Sequence, residues 1–166
     1  VDEVGYPPDL WKQMAELGWF GWALPEAYGG SGGTLVELGL IFQEAGRALA
    51  PVPLLSTIVP ALGIALDGSE ELKQRYLPPV AAGDSMFSYA LSEREAGSDI
   101  ASMRCRAARE GGDWVLNGQK SWISNAGVSD FYTVLAVTDP DGPRGRNVSA
   151  FVVEKSDPGV DFGEPE

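Results

Sequence analysis

The chain has 166 residues, 44% of them hydrophobic and 22% charged, and a net charge of −12 with no histidine. No apolar run reaches the ~18 residues of a membrane helix, and an acidic chain without a basic stripe is a poor nucleic-acid binder. The missing imidazole removes Ser–His–Asp and Cys–His catalysis and histidine metal ligation, so a phosphate-bearing ligand must be held by backbone amides and a few placed cations. The lone Cys105 cannot form an internal disulfide, fits a reducing compartment and, between Arg104 and Arg106, reads as a strand thiol without chemistry. Val1-Asp-Glu carries neither a basic segment nor a secretory apolar core. With no initiator Met, and a last stretch that closes no element, the sequence reads as a piece of a longer polypeptide.

The first half has helical periodicity. Asp9 is the expected N-cap of a helix with the stripe Leu10, Trp11, Met14 and Leu17, stopped at Gly18. After the loop Gly29-Gly-Ser-Gly-Gly33, Thr34-Leu-Val-Glu37 is a capping box. The face Leu35, Leu38, Ile41, Phe42, Ala45 and Leu49 follows it. Pro51 and Pro53 end that helix. Leu54 to Leu66 predicts another, broken or kinked at Pro60. Ser69 caps a short helix to about Tyr76, and Leu77-Pro78-Pro79 closes the helical half.

From Met86 onward the period changes to two. Met86–Leu91 predicts a strand in which Phe87, Tyr89 and Leu91 alternate with Ser88 and Ala90. Asn117-Gly118 carries the strongest hairpin signal. Phe131–Val137 and Val148–Val153 are strands separated by the turn-rich Asp139–Gly145 loop. Helices first and strands second predict an α+β chain: a helical domain over residues 1–83, then an incomplete antiparallel β-barrel-like domain over 84–166.

Three stretches invite a functional reading. The glycine loop lacks a dinucleotide fingerprint, because Leu35 stands where the last small residue is needed, and it reads as a flexible connection between helices. Glu93, Glu95 and Asp99 cluster in one polar loop; without burial to separate their pKa values they read as solvated rather than as an acid–base pair. Trp122 and Ser124, two residues apart, face the same way if the backbone is extended. An indole beside a hydroxyl suits a planar heteroaromatic ligand, although a tryptophan by itself reads as core.

Six segments, in order, resemble the acyl-CoA dehydrogenase family: Met14-Ala-Glu-Leu-Gly-Trp, Leu24-Pro-Glu-Ala-Tyr-Gly-Gly30, Glu44-Ala-Gly-Arg47, Leu72-Lys-Gln-Arg-Tyr-Leu-Pro78, Tyr89-Ala-Leu-Ser-Glu-Arg-Glu-Ala-Gly-Ser-Asp99 and Leu116-Asn-Gly-Gln-Lys-Ser-Trp-Ile-Ser-Asn125. The resemblance implies an N-terminal helical domain and most of a middle β domain, with a C-terminal four-helix domain outside these residues. It implies FAD as cofactor, with Tyr89, Leu91 and Ser92 lining the flavin and Gly97 and Ser98 approaching FAD and the CoA thioester arm. Ser98 is also the implied substrate contact. Trp122 and Ile123 would flank the flavin and Ser124 would bond near its reactive edge. Arg94 departs from the pattern, standing where many members have proline.

The implied reaction is α,β-dehydrogenation of an acyl-CoA thioester in fatty-acid metabolism. The proton-abstracting base belongs to the C-terminal domain, so no catalytic residue is assigned here, and the 166 residues alone are expected to hold FAD weakly and turn nothing over. The resemblance further implies electron-transfer flavoprotein as acceptor, a homo- or hetero-tetramer, and a cytoplasmic location, or the mitochondrial matrix in a eukaryote. A same-fold flavin monooxygenase or oxidase, or a non-catalytic flavin-facing partner subunit, are the competing readings.

Overall fold

The computed structural model describes residues 5–164; Val1–Val4, and with them the Val1-Asp-Glu stretch, and the last two residues lie outside the described range. Four α-helices precede five strands: α1 Pro8–Glu16, α2 Leu35–Arg47, α3 Leu54–Asp67, α4 Glu70–Ala81, β1 Phe87–Ala90, β2 Arg106–Glu110, β3 Asp113–Asn117, β4 Phe131–Val137 and β5 Val148–Glu154. Among the described residues no helix is long and apolar enough to cross a membrane.

Helix α1 is capped at Pro7, not Asp9, which lies in the first turn. It ends in a Schellman motif, with Gly18 N–H donating to Ala15 O and Trp19 N–H to Met14 O. Of its stripe Trp11 and Met14 are buried, whereas Leu17 is exposed. The capping box forms as expected: Thr34 N–H donates to Glu37 Oε2 at 2.8 Å and Glu37 N–H to Thr34 Oγ1 at 3.5 Å. The expected apolar face of α2 forms in its middle and not at its ends: Leu38 is buried and Ile41, Phe42 and Ala45 pack half-buried against its cluster, while Leu35 and Leu49 are exposed.

Prolines mislead twice. Helix α3 runs unbroken through a buried Pro60, and α4 continues through Pro78 and Pro79 to Ala81. An interior proline costs about 3 kcal/mol, but each aliphatic side chain buried returns roughly 1.5–3 kcal/mol. Leu54, Ile58, Ala61 and Ile64 on α3, and Tyr76, Leu77, Val80 and Ala81 on α4, are all buried. Packing outweighs the lost backbone bonds.

The helices and strands share one interior. Phe87 packs with Leu24, Ala61, Leu77 and Val80, and Phe131 and Val152 lean against the same cluster. Met86 completes a second cluster around Trp11, Phe20, Leu38 and Ile58. The sheet itself is mixed. Strand β4 pairs antiparallel with β5 along its whole length and parallel with β1, from Phe87↔Phe131 to Ala90↔Val134. A parallel pair needs a long crossover, and here the crossover holds the β2–β3 hairpin and both motif-bearing stretches.

That hairpin turns at Gly111-Gly112, between the paired Glu110 and Asp113, with Gly111 at φ +65°, and not at Asn117-Gly118. A tight hairpin needs positive φ at its first central residue. Gly118 is small for another reason. A Cβ there would lie 2.6 Å from Cys105 Cα.

Candidate functional site

The return limb of the crossover, residues 118–130, runs back beside β1. Ser121 N–H donates to Ser92 O at 2.9 Å, and Asp130 N–H to Met86 O at 3.0 Å. Between these ties the buried Ser88 hydroxyl lies 2.6 Å from Ser124 O and 2.7 Å from Ser129 Oγ. Asn125 Nδ2 reaches Ser56 Oγ on α3 at 3.0 Å, anchoring the limb to the helical half. These bonds bring Leu91 and Ser92 against the Lys120–Ser124 segment.

Trp122 is therefore neither extended nor core. Its φ is +57°, that of Asn125 is +62°, and its side chain is 66% exposed. The ties at Ser121 and Ser124 hold the chain on either side of Trp122 and leave the indole projecting. Left-handed backbone at a non-glycine residue costs about 1–3 kcal/mol and persists only where its surroundings fix it. Tyr89, on β1, is also exposed, but no ring–ring contact joins it to Trp122 among the described residues. Gly97 and Ser98 sit farther along the outgoing loop, beyond the isolated Glu93↔Ala96 bridge. Arg144 holds that part of the loop, its guanidinium bonding Asp99, Ser102 and Ala101 O.

The two glycine-bearing loops differ in what their amides do. Gly30, Ser31, Gly32 and Gly33 N–H all donate to carbonyls of the 21–25 segment. The first loop is thus a tightly bonded turn, not a flexible connection, and has no amide left for a phosphate. Among the described residues the amides of Gly97, Ser98, Ile123 and Ser124 donate to no protein acceptor. Free amides, exposed aromatic faces and the Ser92, Ser98 and Ser124 hydroxyls form a donor set suited to a flavin nucleotide, whose ring needs stacking surface and whose polar edge and diphosphate need donors.

The acid cluster separates into individual pairs. Glu95 bonds exposed Arg104 at 2.8 Å, and Asp99 pairs with Arg144. Glu93 is buried, contrary to its reading as a solvated side chain. Its carboxylate accepts Arg104 N–H at 2.6 Å, Cys105 N–H at 3.0 Å and Lys120 Nζ–H at 2.8 Å. Burial pushes its pKa up, but Lys120 and the two amides outweigh it and hold the carboxyl below its ordinary value. Its folded-state pKa being depressed, Glu93 stabilises the fold above the unfolded carboxyl value near ~4.3, and that contribution disappears as pH falls through the folded value. Urea midpoints measured from pH 7 to pH 3 are expected to fall less steeply below about pH 4.3 for E93Q than for the unmodified protein. Equal slopes would show that Glu93 takes up its proton equally in the folded and unfolded states, so that its carboxyl is not held below the ordinary value.

Sequence reasoning missed the Glu93–Lys120 pair. The two residues are 27 apart, and no local periodicity links them. Cys105 matches its inert reading, buried with its thiol pKa raised by desolvation. A concavity of about 580 Å³ lies between the apolar sheet face of Ala90, Tyr132, Val134 and Val153 and the return limb at Lys120 and Ile123; of the eight candidate residues only Ile123 lines it.

Two family sequence models match the chain: acyl-CoA dehydrogenase, N-terminal domain, over residues 1–84, and acyl-CoA dehydrogenase, middle domain, over residues 88–166. "Probable acyl-CoA dehydrogenase fadE25" of Mycobacterium leprae is 46% identical over 164 residues, covering 97% of this chain and 42% of that protein. The solved butyryl-CoA dehydrogenase from Megasphaera elsdenii superposes with a TM-score of 0.87 at 31% identity, over 99% of this chain and 44% of its own. The acyl-CoA dehydrogenase from Bacillus anthracis, solved in complex with FAD, gives 0.85 at 37% identity, over 95% of this chain and 27% of its own. The chain spans less than half the length of these relatives.

Proposed function

Because the chain belongs to the acyl-CoA dehydrogenase family, we propose that the native protein carrying it dehydrogenates an acyl-CoA thioester between its α and β carbons, using FAD. The observation that carries this reading is the tied crossover. It presents exposed Trp122 and Tyr89 together with unspent amides at Gly97, Ser98, Ile123 and Ser124, beside Leu91 and Ser92. When bound, FAD supplies the hydride acceptor.

This chain's residues hold and orient. Trp122 and Tyr89 offer apolar faces, and the Ser92 and Ser124 hydroxyls offer polar contacts to the ring edge. Ser98 and the Gly97 amide serve the nucleotide and the thioester arm. The acids of this region are engaged in pairs: Glu93 with Lys120, Glu95 with Arg104, Asp99 with Arg144, and Glu154 with both Arg75 and Tyr76. As the family resemblance implies, the base is assigned to a C-terminal domain outside these residues. Electron-transfer flavoprotein as the onward acceptor, and assembly into an oligomer, belong to the same proposal.

Purified native protein is expected to carry FAD, and its visible flavin absorbance to bleach when acyl-CoA is added without oxygen. A flavin that no acyl-CoA bleaches would overturn the reading. W122A is expected to weaken FAD binding about fivefold, by roughly 1 kcal/mol of ring contact. Because the side chain is exposed, melting in the absence of FAD should hardly change.

A further inference from the structure

We propose that the buried Glu93–Lys120 ion pair is a positioning device for the flavin-facing loops. The inference rests on the functional reading above. Both side chains are 9% exposed and their charged atoms are 2.8 Å apart. Three separate stretches meet there. Leu91 O accepts from Lys120 Nζ at 3.1 Å, so the ammonium spans the exit of β1 and the carboxylate. Glu93 takes the Arg104 and Cys105 amides of the segment leading into β2. Lys120 itself begins the limb that carries Trp122, Ile123 and Ser124.

A buried ion pair is a poor way to gain stability, because apolar side chains of similar volume often stabilise as much or more. Its bonds are directional, however, and these four fix the register of the outgoing loop against the returning one. The Ser121–Ser92 backbone bond adjoins the pair and depends on the same register. Both side chains are nearly closed off from solvent, Lys120 at the edge of the 580 Å³ concavity and Glu93 at the edge of a second recess, and neither is among the residues assigned to the ligand above. Glu93 and Lys120 act through Leu91, Ser92 and Trp122, which makes them positioning residues.

The test uses the native protein with FAD as the probe, comparing the unmodified protein with K120M, E93Q and K120R. Three quantities are measured: the FAD dissociation constant, the flavin midpoint potential and the melting temperature of the FAD-free protein. K120M is expected to raise the dissociation constant about tenfold or more, as small misplacements of positioned groups do, and to shift the potential. E93Q should move both in the same direction, and K120R, which retains the cation, should restore them towards the unmodified values. If K120M does not fold, E93Q, which keeps a carbonyl oxygen for the backbone amides, carries the same comparison. Lower melting temperatures with unchanged affinity and potential would overturn the inference and leave the pair as a stabilising contact alone. Unmodified protein that takes up no FAD would instead overturn the functional reading, and that arm is read without any variant.

Discussion

Replacing Phe87 by alanine is expected to destabilise the protein by about 3–5 kcal/mol, the cost of emptying an aromatic site in a packed core. Phe87 is fully buried. Its ring lies 5.2 Å from that of Phe131, its partner across the parallel β1–β4 pair, and 6.2 Å from Tyr76 on α4. Leu24, Ala61, Leu77 and Val80 close the site from the helical side. The cavity would therefore open at the joint between helices and sheet, where neither layer can collapse without moving the other. Thr57 Oγ1, which reaches Phe87 O at 3.4 Å, ties the backbone at the same point. Chemical denaturation of the native protein, followed by loss of helical signal, measures the effect. Phe87→Leu, which refills most of the volume, should cost less than about 1.5 kcal/mol. A loss below about 1 kcal/mol for the alanine variant would mean that the two layers do not depend on one interior.

What could be read from the sequence was what local chemistry determines. The capping box of Thr34 and Glu37 is complete within four residues, and it forms. Strand β4 runs from Phe131 to Val137 as its β-branched and aromatic run predicts. The failures occur where distant packing decides. Pro78 and Pro79 normally end a helix, yet α4 continues because Val80 and Ala81 enter the core. The parallel placement of β1 on β4 depends on a 40-residue crossover that no local pattern encodes. At the site, the residue types were legible and their presentation was not. Trp122 looks like core by composition, and Glu93 looks solvated in so polar a loop. Bonds to Ser92, Ser88, Ser56 and Lys120, all remote in sequence, expose the first and bury the second.

The Asn117-Gly118 pair leads to the sharpest prediction about the site. Gly118→Ala is expected to cost about 3 kcal/mol or more, at the upper end of overpacking penalties, and to strip FAD from the protein. At a hairpin turn the glycine would matter for its dihedral freedom, and a neighbouring residue could shift to absorb an alanine. Here the added methyl meets Cys105 Cα at 2.6 Å, Cβ at 2.6 Å and Sγ at 2.7 Å. The first of these is main chain and cannot rotate away. Cys105 cannot retreat, because its amide is held by the buried Glu93 carboxylate and its carbonyl accepts Val137 N–H at 2.8 Å. Residue 118 must move instead, and it carries Lys120 and Trp122 with it. Gly111→Ala, at the true hairpin turn, provides the contrast: no atom lies within 4 Å of the place its methyl would take, so only the positive φ is strained, at about 1 kcal/mol, and flavin retention should be unchanged. Equilibrium denaturation and FAD content of the two variants, measured together, decide the matter. If Gly118→Ala keeps its flavin while Gly111→Ala loses it, the conformation of the hairpin, and not the close packing at Cys105, sets the position of the flavin-facing limb.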